Sequence, residues 1–515
     1  LSEVKRTGKN KTMAKHQGNS RKSKIYRYLW LLFLCLSFLL VPLIKKIAAD
    51  TPFPPPAPIA NNATFGARIQ RTMGLLAAST PTERHQVRIL FYGQSITLQE
   101  WSQDVAKDLK QRFPNADLIW ENRALGGFSS PILIRPSEHD LYPFYPDLLI
   151  FHVYGGGEDY EAIIANVRRR TTSEILLHSD HINWLPAGNS SDNPDEVKGY
   201  QWHNTHSTKW LPELADKYGC EIAEIREPWR RYLKDNRLQP KQLLRDEIHL
   251  NDWGNFLLAA LVKPHLRYKP NSPQPPQDLV KTYTVGSDVK WQNGKLVLEF
   301  EGNRIDAIAD KTFNGKAISA KIAIDGKKPS EFPELYSITR PSASPGVPWP
   351  AIIQVSSQKP LIVEDWKAVI TEINSDASKF KFDVVGSKTG YDGSGTNDEM
   401  FVSNSGRVVI EPRNWWLKNS YEYSKKPTPK GFEISWQVRP MFVDSYIPPQ
   451  IADSSREYST TLAQNLSNSK HTLEIVPETD GKVPIQAIRV YRPPFSNLPS
   501  KVESFKPQIS AHENG

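Results

Sequence analysis

Cysteine is all but missing from this chain of 515 residues: only Cys35 and Cys220 occur, and Cys35 lies inside an apolar run. No disulfide framework can therefore hold the fold, and large cores must do so instead. A surplus of one charge is missing too, once the two ends are separated. The formal net charge is +9, yet residues 1–50 carry eleven Lys/Arg against Glu3 and Asp50. The other 465 residues balance 54 basic against 54 acidic side chains. That balance removes the electrostatic footprint of nucleic-acid binding. No internal repeat is present, so repeat architectures are set aside.

What the amino terminus does have is a basic segment, residues 1–27, followed by an uncharged stretch of 17 residues over 28–44. Met13 opens a conventional basic run, and residues 1–12 read as lying upstream of the start. The positive cluster keeps that end in the cytoplasm and sends the remainder outward. Three readings stay open: an uncleaved anchor, a cleaved signal sequence, or a buried helix. Under the first two the protein faces the periplasm or cell exterior, and it is secreted if cleavage falls before about residue 50. Residues 45–62 are rich in proline and read as a stiff spacer.

From 63 to 270 strand and helix patterns alternate. Strands are expected over 87–92, 116–121, 148–153, 174–178 and 221–223, and helices over 65–78, 98–112, 160–170, 209–218 and 253–261. Such interleaving implies an α/β domain with a mostly parallel sheet covered on both faces. Residues 271–279 break the pattern with prolines. Short alternating runs follow over 280–498, at 295–301, 317–324, 379–385, 407–410, 433–438, 471–476 and 485–491. They predict an all-β sandwich, with a long loop or a second small β unit to use up its length. Residues 499–515 read as a disordered tail.

The chemistry concentrates in residues 87–97, where an apolar strand runs into Gly93, Gln94 and Ser95. This pattern lifts a hydroxyl to the carboxyl end of a strand, where α/β sheets place their sites. About 150 residues later come Asp246 and His249, just ahead of a helix. Serine is a weak nucleophile until a base takes its proton. His249 supplies the base if Asp246 orients its ring and stabilises the imidazolium.

These blocks resemble the SGNH/GDSL hydrolases. The first block is Gly93-Gln94-Ser95-Ile96-Thr97, with Gln94 where the family has Asp; the second is Asn122 through Gly126, Gly127 and Phe128; the fifth is Asp246-x-x-His249. The third block departs: Tyr154-Gly155-Gly156-Gly157-Glu158-Asp159 carries no asparagine. The resemblance implies a flavodoxin-like three-layer α/β/α domain and carboxylic-ester hydrolysis without a cofactor. It also implies an oxyanion held by the amides of Ser95 and Gly127. Either Gly157 or Glu158 occupies the third-block position, and only the former offers an unopposed amide. Gln94, Asn122, Asp180 and His181 are candidates to line the substrate cleft. His178-x-x-His181 with Asp180 invites a metal reading, but strand-end histidines commonly bond within loops, and none is assigned.

In the β region, Asp392, Asn397 and Asp398 offer calcium ligands or a solvated loop, with no EF-hand spacing. Trp415, Trp416 and Tyr421 read as exposed sugar-stacking aromatics, and 467–475 resembles a strand of jelly-roll or galactose-binding-like modules. The expected function is a membrane-anchored esterase removing O-acetyl groups from carbohydrate. The alternatives are an O-acetyltransferase of a surface polysaccharide and a non-catalytic glycan-binding protein.

Overall fold

A computed structural model describes residues 53–59, 62–155, 157–185, 194–270 and 279–495. The basic segment, the apolar stretch 28–44 and the tail 499–515 lie outside the described residues, as does nearly all of the linker 271–279. Among the described residues no helix is long and apolar enough to cross a membrane.

Five strands form a parallel sheet: β1 (Gln86–Gly93), β2 (Asp117–Asn122), β3 (Leu148–His152), β4 (Glu174–His178) and β5 (Glu221–Ala223). Their order is β2-β1-β3-β4-β5. This is the doubly wound arrangement in which the chain reverses direction between β1 and β3, opening a crevice at their carboxyl ends. β1 shows why both faces are covered. Val87, Ile89 and Phe91 enter one core with Trp101, Val105 and Leu257, while Leu90 and Tyr92 enter another with Phe151, Tyr160 and Ile164. Arg88 breaks that apolar run on the second face.

In the α/β region the sequence pattern missed two of the longer helices, Pro194–Thr205 and Arg226–Asp235. Helix Gln70–Ala78 is shorter than the expected 65–78 because Gly66, at φ +77°, turns the chain ahead of it. The expected spacer also differs where it is described. Ala57 and Pro58 give their carbonyls to Arg231, and Ile59 packs against the first core.

The β region is two units with separate cores rather than one sandwich. The outer unit is a seven-stranded antiparallel sheet built on two long strands, Lys295–Ala309 and Ser459–Pro477. The inner unit is inserted into it. Its five strands are Tyr336–Ile338, Glu433–Pro440, Asp365–Ile373, Phe380–Gly386 and Gly390–Thr396, in that spatial order. Alternation predicts which face of a strand is buried but not which strands share a sheet. The expected calcium-bearing or solvated loop is largely the hairpin between the last two of these strands. Asp392 is 2% exposed there and accepts from the Ser405 amide and hydroxyl, so it braces a turn.

The described residues from Pro56 onward form one compact unit, and the β region is fastened to the α/β region by buried polar contacts. Arg340 grips Asp140 through Nε (2.8 Å) and Nη2 (2.6 Å) and donates to the Arg123 carbonyl (2.7 Å). His139 bonds the Ile338 carbonyl at 2.9 Å and accepts the Val355 amide at 3.1 Å. Ile353 joins the core of the α/β region outright. Asp140 is 2% exposed, so removing its partner strands a buried carboxylate. Arg340→Ala should therefore lower unfolding free energy by about 3 kcal/mol in urea titration; a change under about 0.5 would contradict this account of the junction.

Candidate active site

Ser95 sits half-buried in a tight turn off the end of β1. Gly93 is required there, because any side chain would strike the His152 carbonyl at 1.9 Å. The Gln94 carbonyl accepts from the amides of Thr97 (2.9 Å) and Leu98 (3.2 Å), and Trp101 Nε1 donates to the Ile96 carbonyl at 2.6 Å. Asn122, at the end of β2, closes the turn from the side. Its Nδ2 donates to the Thr97 carbonyl (2.6 Å) and Ser102 Oγ (3.1 Å), and its Oδ1 accepts the Ala124 amide. Asn122 thus acts on the serine turn itself. Gln94 is buried at 5% exposure, and its Nε2 has no partner among the described residues.

The His249 loop is brought to this turn by side chains that carry no motif. Gln99 donates from Nε2 to the Leu250 carbonyl (2.9 Å) and accepts the Leu250 amide at Oε1 (3.2 Å). Asn255 accepts the Trp101 amide and donates to Glu100. From the other side His181 Nε2 bonds the Ile248 carbonyl at 2.9 Å. His181 is 3% exposed, so it holds the loop from beneath.

Within the loop, Asp246 contacts His249 Nδ1 through both oxygens, at 2.8 and 3.1 Å. Asp246 Oδ1 also accepts the amides of Ile248 (2.9 Å) and His249 (2.7 Å). Desolvation works against the charge, but the two amides and the ring outweigh it and hold Asp246 at about 2. A carboxylate ionised at neutral pH thus faces Nδ1 and leaves Nε2 as the proton acceptor. No hydrogen bond joins Ser95 to His249 in this structure.

Two backbone donors stand near the serine. A side chain at Gly126 would meet Ser95 Cβ at 3.6 Å, which places this glycine loop beside Ser95. Gly127 follows at φ +78° and is exposed. Neither the Ser95 nor the Gly127 amide donates a hydrogen bond among the described residues. Gly157 belongs to the neighbouring loop, ahead of helix Glu158–Arg170, where its carbonyl accepts the Glu161 amide at 3.2 Å; Glu158 is exposed.

The inner β unit contributes a wall that sequence reading missed. A side chain at Gly127 would meet Trp349 Cζ2 at 3.3 Å, and Phe128 packs on both Trp349 (6.1 Å between centroids) and Trp416 (5.3 Å). Tyr423, 73% exposed, lies 4.9 Å from the Trp349 ring. The expected aromatic platform is corrected in its members. Trp415 is 7% exposed and packs on Phe380 and Phe382, so it is core.

Asp180 lies 3% exposed, between His152 Nε2 (3.0 Å) and His203 Nδ1 (2.8 Å). Burial opposes its charge, but these two bonds keep its pKa well below the usual carboxylate range. Around it His178 stacks on His152 at 4.3 Å. Among the described residues no group of three or more metal-type ligands is placed to hold an ion.

Burial, with His152 nearby, lowers His181 to about 4, and burial does the same to His206. In the unfolded chain both take up protons near pH 6.5. The unfolded state therefore binds more protons between about pH 6.5 and 4, and stability falls as pH drops through that window. The melting temperature should decline steeply from pH 7 to 4.5, by on the order of a few kcal/mol in stability. A flat profile would contradict the neutral, buried placement of these rings.

No family model and no curated protein matches the chain. Among solved structures it is similar to a two-domain esterase active on acetylated mannans, co-crystallised with mannopentaose. That match has 14% identity and a TM-score of 0.29, and covers 82% of this chain and 95% of that one. It is also similar to Axe2, an acetylxylan esterase from Geobacillus stearothermophilus, at 15% identity and a TM-score of 0.30, covering 37% of this chain and 98% of that one. A third is a GDSL-like lipase from Parabacteroides merdae, at 15% identity and a TM-score of 0.30, covering 36% of this chain and 98% of that one.

Proposed function

We propose that this protein is a serine esterase of the SGNH kind that removes acetyl groups from carbohydrate. The observation that carries the reading is the Asp246–His249 pair, clamped by Gln99 to the serine turn at the sheet's switch point. In this mechanism His249 Nε2 takes the Ser95 proton as Oγ bonds to the ester carbonyl carbon. The amides of Ser95 and Gly127 stabilise the resulting oxyanion. Collapse breaks the bond to the sugar oxygen, which leaves with the proton from His249. Water, deprotonated by the same ring, then attacks the acyl carbon; the bond to Ser95 Oγ breaks, Oγ takes the proton back from His249, and acetate is released. Catalytic hydrogen bonds commonly tighten only once substrate is bound, which suits the open Ser95–His249 pair.

The third-block asparagine of the family is absent, so two amides carry the oxyanion unless Gly157 adds a third. Support for a sugar comes from Trp349 and Tyr423, whose faces can stack on apolar C–H surfaces beside the glycine loop. In this reading the enzyme works outside the cytoplasmic membrane, with residues 28–44 as its anchor.

Acetate release from acetylated oligosaccharides, measured beside a chromogenic acetyl ester, tests the function and its substrate class together. Trp349→Ala should lose about 10-fold in kcat/KM on the oligosaccharide, the worth of one stacked ring, and little on the small ester. Equal losses on both would remove the case for a sugar subsite. Hydrolysis of neither by the native protein would remove the esterase reading.

A further inference from the structure

Between the edge strand β2 and the inner β unit lies a cavity of about 640 Å³, in the size range of small-molecule sites. Arg88, Arg123, Arg340 and Arg439 line it, against only Glu121 and Asp140. Two of these cations are satisfied in place. Arg340 pairs with Asp140, and Arg123 Nε pairs with Glu121 at 2.7 Å. The other two have no carboxylate ion pair among the described residues. Arg439 is exposed, and its guanidinium rests on Gln437 Oε1 (3.0 and 2.6 Å).

Arg88 is the stranger case, because it stands on a β1 face otherwise given to core residues. Its guanidinium lies 4.4 Å from the centre of the Phe144 ring, which Arg123 also approaches at 4.6 Å. Its Nε is buried without a hydrogen-bond partner among the described residues. Burial and the neighbouring Arg304 disfavour the cation there, and outweigh the favourable fields of Asp147 and Glu121. A buried guanidinium N–H without an acceptor is costly, and a ligand oxygen reaching it would supply the missing bond.

We propose that this cavity is a binding site for an oxyanion-bearing ligand, a carboxylate, sulfate or phosphate group held by Arg88 and Arg439. Guanidinium forks match such groups with paired, charge-assisted bonds. Thr461 and Gln464 of the outer sheet and Ser337 of the inner unit offer polar walls for the group that carries the anion. The site lies apart from Ser95 and does not depend on the esterase reading.

Calorimetric titration of the whole protein with inorganic sulfate, inorganic phosphate, a trigalacturonate and neutral maltotriose tests it. At least one oxyanion should bind in the millimolar range or tighter, and maltotriose should not bind there. Tight trigalacturonate with weak inorganic ions identifies a saccharide carboxylate; the reverse identifies a free anion. Arg439→Gln, an exposed change that should not disturb folding, and Arg88→Gln should each weaken binding about 10-fold or more. Ser95→Ala should leave it unchanged, so loss of the esterase reading leaves this one standing. No oxyanion bound at 10-fold above the millimolar range, or binding unaltered in Arg439→Gln, would overturn the proposal.

Discussion

Ser95→Ala should cut kcat/KM for an acetyl ester by about 10³- to 10⁴-fold or more while leaving the melting temperature nearly unchanged. The size follows from what is removed. Without Oγ no acyl-enzyme can form, and only the two amides and substrate binding remain to help water. The fold should hold because the Ser95 side chain makes no hydrogen bond among the described residues; the turn is held by Gly93, Asn122 and Trp101. Steady-state rates and thermal denaturation of the same preparation check both halves. A variant with more than about a tenth of native activity would mean that Ser95 is not the nucleophile.

Asp246→Asn should be nearly as severe, with about 10²- to 10⁴-fold lost from kcat and little change in KM. Asn is close in shape, but its amide can donate to His249 Nδ1, which fixes the ring in the tautomer whose Nε2 carries a proton and cannot accept one. The charge that would steady the imidazolium also goes. Asp246 is half exposed, which lets solvent take over part of that role and sets the lower end of the range. Asp246→Ala separates the two effects. It frees the tautomer but removes the acceptor for the Ile248 and His249 amides, so the loop loosens and KM rises as well.

The strands of the α/β region were legible because each is a short apolar run between turn signals. β4, for example, is Glu174–His178 in both sequence and structure. Helix Arg226–Asp235 was not, because charge dominates it and only Arg226, Trp229, Tyr232 and Leu233 are buried. Helix Pro194–Thr205 has no apolar stripe to read. The contact between Asp246 and His249 was legible from residue type, order and spacing. What positions it was not. Gln99 meets Leu250 across 151 residues, and Trp349 reaches Gly127 from the inserted β unit; neither contact leaves a local pattern. Asp180 and His181 were legible as a strand-end cluster. Their burial, which turns them inward to His152, His203 and the Ile248 carbonyl, depends on helices and loops that arrive later in the chain.

In the proposed mechanism Ser95 is an activated nucleophile with His249 as its base. Peptide mass spectrometry after brief exposure to a fluorophosphonate tests it most directly, with His249→Ala treated alongside. One adduct is expected, on Ser95, forming at least about 10²-fold more slowly in the His249 variant. No adduct on Ser95, or equal labelling in both proteins, would contradict it.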